Sequence, residues 1–306
     1  MPLLSRRSLL AATAVGAMAR ALPAFAAPPA HSFRHGGFEL TVVSDGYLQL
    51  PVSFLAPGAP VEERAALLKA AGQTGETYHS PTNVTVIRSG DDVILADIGS
   101  GDRFMPSAGK LWANLQAAGI EKSAITRVIF THGHPDHIWG ALDEFDELAL
   151  PDAAFYVAGE EWDFWHGEHA VRSLPPERAG FVTGARRRFA AIKEKVKMVR
   201  PGDEIVPGLA VVATPGHTQG HVSVALAGGD GLIITGDALT HPLISFRHPD
   251  WRPVADHVPD QAVGTRRRLL DRLATERSKL VGFHLPWPGV GIVERKDNAY
   301  RFVPVT

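Results

Sequence analysis

At 306 residues with 45% hydrophobic content, the chain has enough apolar material for one large α/β domain or two small ones, which excludes a disordered or fibrous protein. A net charge of −2 offers no basic face for a phosphate backbone, so nucleic acid is not an expected partner. The absence of cysteine rules out disulfides, thiolate ligands and a thiol nucleophile, leaving only nitrogen and oxygen donors for any metal chemistry.

Taken in order, the chain opens with Ser5-Arg6-Arg7-Ser8-Leu9-Leu10, an alanine-rich apolar run and Ala24-Phe25-Ala26. These read as a twin-arginine-type export signal over residues 1–26, ending at an A-x-A cleavage site. The apolar run is short for a membrane span and is interrupted by Arg20, so no stable membrane anchor is expected once it is removed, although an uncleaved signal would act as one. Cleavage would delete three arginines and no acid, taking the net charge to −5. The expectation is a periplasmic or secreted protein with a single domain over 27–306.

Alternation predicts a strand over Phe38–Val43, followed by a Pro-rich loop from Pro51 to Pro60 and a helix from Val61 to Ala71 that stops at Gly72. Asn83–Arg88 and Asp92–Ala96 flank Ser89-Gly90-Asp91 as a hairpin. The second of these strands runs into Asp97-Ile98-Gly99, where the acid could serve simply as a turn former. An amphipathic helix is predicted over Ser107–Ala118, a strand over Arg127–Phe130, another over Phe155–Ala158, and an aromatic helix over Glu160–His166. A longer helix follows over Pro176–Lys193, whose Arg186-Arg187-Arg188 reads as a solvated face. The remainder alternates: strands Leu209–Ala213, Val222–Ala227 and Leu232–Thr235, a helix Gln261–Glu276, a strand Lys279–Phe283, and a β-rich tail through Val305. Strands interspersed with helices over the whole length predict one α/β or α+β domain without repeats or a linker.

The chemistry concentrates in Thr131-His132-Gly133-His134-Pro135-Asp136-His137. His132 and His134 leave the end of an apolar strand at two-residue spacing, which aims both imidazoles to one side. Pro135 suits the first position of a helix, and Asp136 in that first turn is favoured by the helix dipole. Four ligand-type residues within six positions are too many for a surface loop, so the stretch reads as half of a two-metal site. Further donors stand at three later strand ends: His217 in Thr214-Pro215-Gly216-His217, Asp237 after Gly236, and His284 after Phe283. Asp237 is the best bridge between two ions, because a carboxylate offers two oxygens where an imidazole offers one free nitrogen.

The order His132-x-His134-x-Asp136-His137, His217, Asp237, His284, with Asp97 before Gly99, resembles the metallo-β-lactamase superfamily over essentially the whole mature chain. The resemblance implies a four-layer αββα sandwich with the metals at the rim of two packed sheets. It implies that His132, His134 and His217 hold one ion, that Asp136, His137 and His284 hold the other, and that Asp237 bridges them. Asp97 and His221 would then orient ligands from behind. More narrowly, Ala113-Asn114-Leu115-Gln116-Ala117-Ala118-Gly119, His284-Leu285-Pro286-Trp287-Pro288-Gly289 and the tail Tyr300-Arg301-Phe302-Val303-Pro304-Val305 resemble the methyl parathion hydrolase branch. That branch implies an aromatic leaving-group pocket, for which Phe104, Trp165 and Phe181 are candidates, although each would equally serve as an ordinary core residue. It also leaves a homodimer open.

Two divalent ions, zinc first with manganese, cobalt or iron also compatible, would make hydroxide available near neutral pH by lowering the pKa of bridging water. The expected activity is hydrolysis of small neutral esters, first organophosphate triesters or carboxylic esters, alternatively lactones such as acyl-homoserine lactones. Asp136 and Asp237 are the acids expected at the reacting centre. No protein nucleophile is needed, and there is no G-x-S-x-G elbow. A cysteine-ligated β-lactamase is excluded by composition, and an RNA-processing nuclease is opposed by charge. A glyoxalase II would need a helical lobe for which little chain remains after His284. A non-catalytic exported metal-binding protein is the alternative of another class; structural sites, however, are typically closed and single.

Overall fold

The computed structural model describes residues 30–305 apart from Ala71, Thr74 and Pro175; the expected export signal lies outside the described residues. Two seven-stranded sheets each keep their strands in chain order. The first holds β1 (His31–His35), β2 (Phe38–Pro51), β3 (Thr77–Ser89), β4 (Asp92–Ala96), β5 (Arg127–Ile129), β6 (Ala154–Ala158) and β7 (Val196–Val199). The second holds β8 (Glu204–Val206), β9 (Leu209–Ala213), β10 (Val222–Leu226), β11 (Leu232–Ile234), β12 (Lys279–Val281), β13 (Val290–Lys296) and β14 (Ala299–Pro304).

Strand alternation builds the layers. In β4, Ile94 and Ala96 face the second sheet while Val93 and Leu95 face helices; in β6, Tyr156 and Ala158 face the sheet while Phe155 and Val157 face helices. The helical side of the first sheet is covered by α1 (Leu111–Ala117) and α4 (Ala179–Ile192), which contribute Leu111, Leu115, Ala185, Phe189 and Ile192. Between them in sequence lie α2 (Pro135–Ile138) and α3 (Gly159–His166). On the far side, α5 (Pro259–Glu276) packs Leu269, Leu270 and Leu273 onto Ile233, Leu280 and Val293 of the second sheet. The inter-sheet core and the two outer cores make a four-layer αββα sandwich, as the sequence resemblance implied. No helix among the described residues is long and apolar enough to cross a membrane.

The strand registers assemble the site. Parallel pairing of β4 with β5 aligns Ala96 with Ile129, so the segments beginning at Asp97 and Phe130 leave the sheet side by side. Parallel pairing of β11 with β12 aligns Ile234 with Val281, bringing the Asp237 and His284 turns to the same rim. The sheets are clamped there: Val222 N donates to Thr131 O at 3.0 Å, and Asn83 N to Phe283 O at 2.8 Å. The Asn83 side-chain amide adds bonds to Gly282 O and Leu285 O.

Strand β9 has the predicted bounds, and β4 matches the second arm of the predicted hairpin. β2 and β3 run further than the alternation suggested, because each continues past the sheet proper as a long two-stranded ribbon pairing Gly46–Pro51 with Thr77–Thr82. β1, β7 and β8 are not foreseen. They are edge strands whose sequences lack a clean apolar alternation.

Candidate metal centre

Seven side chains converge at the rim in two groups, His132, His134, His217 and Asp237, and Asp136, His137 and His284, each with its donor atoms within 4.8 Å of one another and every member buried. In the first group His134 Nδ1 lies 2.9 Å from both His132 Nε2 and His217 Nε2. In the second, His284 Nε2 and His137 Nε2 lie 3.2 Å and 3.4 Å from Asp136 Oδ2. Asp237 spans the two: its Oδ2 is 3.2 Å from both His217 Nε2 and His284 Nε2, and its Oδ1 is 3.2 Å from His137 Nε2. α2 begins with Pro135 at its first turn, so Asp136 and His137 point from that turn toward the same centre as the strand-end histidines.

These atoms fit a pair of cations. Asp136 Oδ2, His137 Nε2 and Asp237 Oδ1 are buried without a hydrogen bond of acceptable geometry among the described residues. Buried polar atoms otherwise find partners, and lone-pair donors facing one point are what hard and borderline cations bind. The acids also draw positive charge into the centre. Burial opposes protonation of His217 and His284, yet Asp237, helped by Asp256 and Asp136 respectively, raises their pKa to about 9 and about 10. Burial likewise opposes ionisation of Asp237, but His284, His137 and His217 hold its carboxyl well below the usual range. In His132 and His134 burial and neighbouring imidazoles push the pKa well down, keeping them neutral.

Five of the donors, His134, Asp136, His217, Asp237 and His284, line a cavity of about 370 Å³. Its walls are largely apolar: Leu48, Leu50, Phe54 and Leu55 on one side, Phe104 and Phe181 on another. Phe104 and Phe181 meet edge to face with centroids 5.9 Å apart, and Phe181 lies 6.1 Å from the His134 ring. Trp165 has a different place. It is fully enclosed behind His134, 5.9 Å away, and does not line the cavity, because its indole N–H is turned onto Glu161 at 2.6 Å.

A family model described as the metallo-beta-lactamase superfamily matches residues 77–284, the stretch that supplies all seven donors. The chain belongs to the metallo-β-lactamase superfamily. Among curated relatives it is 34% identical over 155 residues to an uncharacterised protein of Mycobacterium leprae; the match spans 50% of this chain and 64% of that protein's length. Among solved structures it is similar to AidC, a dizinc quorum-quenching lactonase with a homoserine product bound, at TM-score 0.86 and 27% identity over 91% of this chain and 98% of that one. It is also similar to the hydrolase AbOPH, at TM-score 0.84 and 26% identity over the same shares. With the family match, the buried donor set gives a chain of this superfamily two groups of side chains that could each hold a divalent ion.

Around the superfamily's donor set this chain places a second ring of contacts. Asp97, at φ 65°, receives Thr131 N and Thr131 Oγ1 at 2.8 Å each and holds His137 Nδ1 at 2.8 Å. His221 Nε2 accepts the backbone N–H of Asp237 at 3.0 Å, while its Nδ1 lies 2.9 Å from Thr214 Oγ1. His284 Nδ1 donates to Pro81 O at 2.7 Å. Such partners fix tautomer and ring orientation.

Three residues of this ring, Glu161, Asp256 and His257, and Asp45 beyond it are not singled out by the motif. Glu161 is buried and receives four donors, from Gly133, Trp165, Thr218 and Gly220. Asp256 faces His217 Nδ1 at 3.1 Å and is itself paired to Arg266 at 3.3 Å. His257 Nε2 lies 2.8 Å from His134 Nε2. Asp45, at the bulge of β2, accepts Ser100 N at 2.8 Å and Leu111 N at 2.9 Å, and burial raises its pKa to about 6. Only Glu161 leaves a trace in sequence: it stands four residues before Trp165, on the apolar face of an aromatic helix, where a lone acid needs partners.

Proposed function

We propose that this metallo-hydrolase cleaves small neutral esters with a dinuclear zinc centre, lactones and carboxylic esters first, with organophosphate triesters as a second reading. The observation that carries it is Asp237 spanning both donor groups on the floor of an apolar-walled cavity. Likeness to AidC supports the lactone reading. The Phe104–Phe181 wall favours a triester with an aryl leaving group.

His132, His134 and His217 would hold one ion, Asp136, His137 and His284 the other, and Asp237 both. Divalent ions held there would supply Lewis acidity toward water and the ester oxygen near neutral pH. The chain's own contribution is positioning. Asp97 holds His137 through Nδ1, leaving Nε2 directed at the centre; Asp256 does the same for His217 and Pro81 O for His284. His221 fixes the backbone of Asp237. The apolar wall excludes water from the bound ester and so strengthens every charge interaction within.

The test is zinc-reconstituted protein assayed on aliphatic lactones, p-nitrophenyl esters and a paraoxon-type triester, with metal content measured in parallel. Turnover of at least one class, lost on chelation and restored by metal, is expected; two bound ions with no turnover on any class would sink the proposal in favour of a non-catalytic metal-binding protein.

A further inference from the structure

One charged cavity-lining side chain is neither a metal donor nor in contact with one. Arg178, the residue preceding α4, is the sole arginine or lysine among the described residues that line the cavity and is only 9% exposed. Three residues on, Phe181 lines the same cavity, so the two share one face of the helix start. The guanidinium donates Nη2–H to Val254 O at 2.8 Å and lies 5.1 Å from the centroid of Phe54. Among the described residues it pairs with no carboxylate. Arg266, similarly enclosed, has Asp256.

A guanidinium carries five N–H donors in a rigid fork, and among the described residues one of them has a protein acceptor. Enclosing that cation against apolar walls costs free energy which an oxygen acceptor in the cavity would offset. A plain aliphatic ester or a triester with an unsubstituted aryl group brings no such acceptor beyond its reacting centre.

We infer that Arg178 sets specificity by binding a second oxygen acceptor of the substrate remote from the scissile bond, an amide carbonyl of a neutral ester or, extending that reading to anionic esters, a carboxylate. This rests on the ester and lactone reading above. The preferred substrates are therefore lactones and esters that carry such a group, with the apolar remainder against Leu48, Phe54 and Phe181. A planar fork can grip either acceptor with two parallel bonds, whereas a lysine ammonium in its place would act as a point charge.

The test uses the zinc-loaded full chain, Arg178→Met and Arg178→Lys, on two matched pairs: γ-butyrolactone with and without an α-acylamino group, and p-nitrophenyl hexanoate against p-nitrophenyl hydrogen adipate. Arg178→Met should raise KM at least tenfold for the acceptor-bearing members while kcat/KM for the plain members changes less than threefold. Arg178→Lys should recover the adipate more than the acylamino lactone if the acceptor is anionic, and neither if it is neutral. Calorimetry with the ring-opened α-acylamino acid gives a readout independent of turnover: binding should weaken at least tenfold in Arg178→Met, with two ions retained by elemental analysis. Equal effects on both members of each pair, or unchanged binding of the acid, overturn the assignment. Weakened binding without turnover of any substrate by the wild type would sink the hydrolase reading alone.

Discussion

The carboxylate of Glu161 accepts the backbone N–H of Gly133 at 2.7 Å, midway between His132 and His134. Its other oxygen takes Thr218 Oγ1 and Gly220 N, one and three residues past His217. One buried acid thus ties together two loops that carry metal-facing histidines. The packing leaves no slack: a Cβ on Gly133 would lie 2.2 Å from Trp165 Nε1, and one on Gly220 would lie 2.0 Å from Glu161 N. Glu161→Gln puts an amide N–H against a backbone N–H on one side, at a cost of about 1 to 3 kcal/mol. The expected result is zinc affinity reduced about 10- to 100-fold with a lowered melting temperature, measured by competition with a chromophoric chelator; wild-type affinity would show that the loops are held by other contacts.

Asp237→Ala removes the carboxylate that reaches both donor groups. The expected outcome is loss of hydrolysis together with a fall in bound metal below two ions per chain, read by elemental analysis. His132→Ala should likewise abolish turnover, though it leaves the second group, Asp136, His137 and His284, intact. A variant of either kind with full activity would remove the basis of the dinuclear assignment.

Asp97→Asn keeps the shape of the side chain while removing the charge beside His137 Nδ1. An amide can still accept from Thr131 N, but it cannot both receive Thr131 Oγ1 and hold the imidazole in one tautomer as a carboxylate does. Activity or metal affinity should fall about 10- to 100-fold with little change in far-ultraviolet circular dichroism. No change in either quantity would make Asp97 a turn former only.

His241 offers a pH test away from the metal donors. Its Nδ1 accepts the backbone N–H groups of Leu243 and Ile244 at 3.1 Å each, at the entry to the short helix Ile244–Arg247, and burial lowers its pKa to about 4. A proton on Nδ1 would face both donors, so the folded state prefers the neutral ring. A depressed base contributes stability that is present above the unfolded value of 6.5 and is lost as pH falls toward 4. The contribution is roughly 3 kcal/mol at most. Comparing chemical denaturation of the wild type and His241→Asn, which can cap without titrating, should show the wild type losing ground between pH 6.5 and 4; parallel curves would remove His241 as a titrating cap.

What the sequence determined by itself was the donor inventory. His132, His134, Asp136 and His137 fall within six residues, so covalent spacing alone confines them to one turn, and strand ends before His217, Asp237 and His284 mark the remaining donors. Beyond Asp97 and His221, only the tertiary structure decided which groups stand behind them. Asp256 and His257 meet His217 and His134 across 39 and 123 positions of chain, and no local pattern links them. Trp165 shows the same limit: an aromatic near a cavity reads alike whether it lines the wall or, as here, backs a ligand and donates to a buried acid. Local chemistry follows from neighbours along the chain, but the second ring depends on the register of β4 with β5 and of β11 with β12, and on the closure of one sheet over the other, which set what meets at the rim.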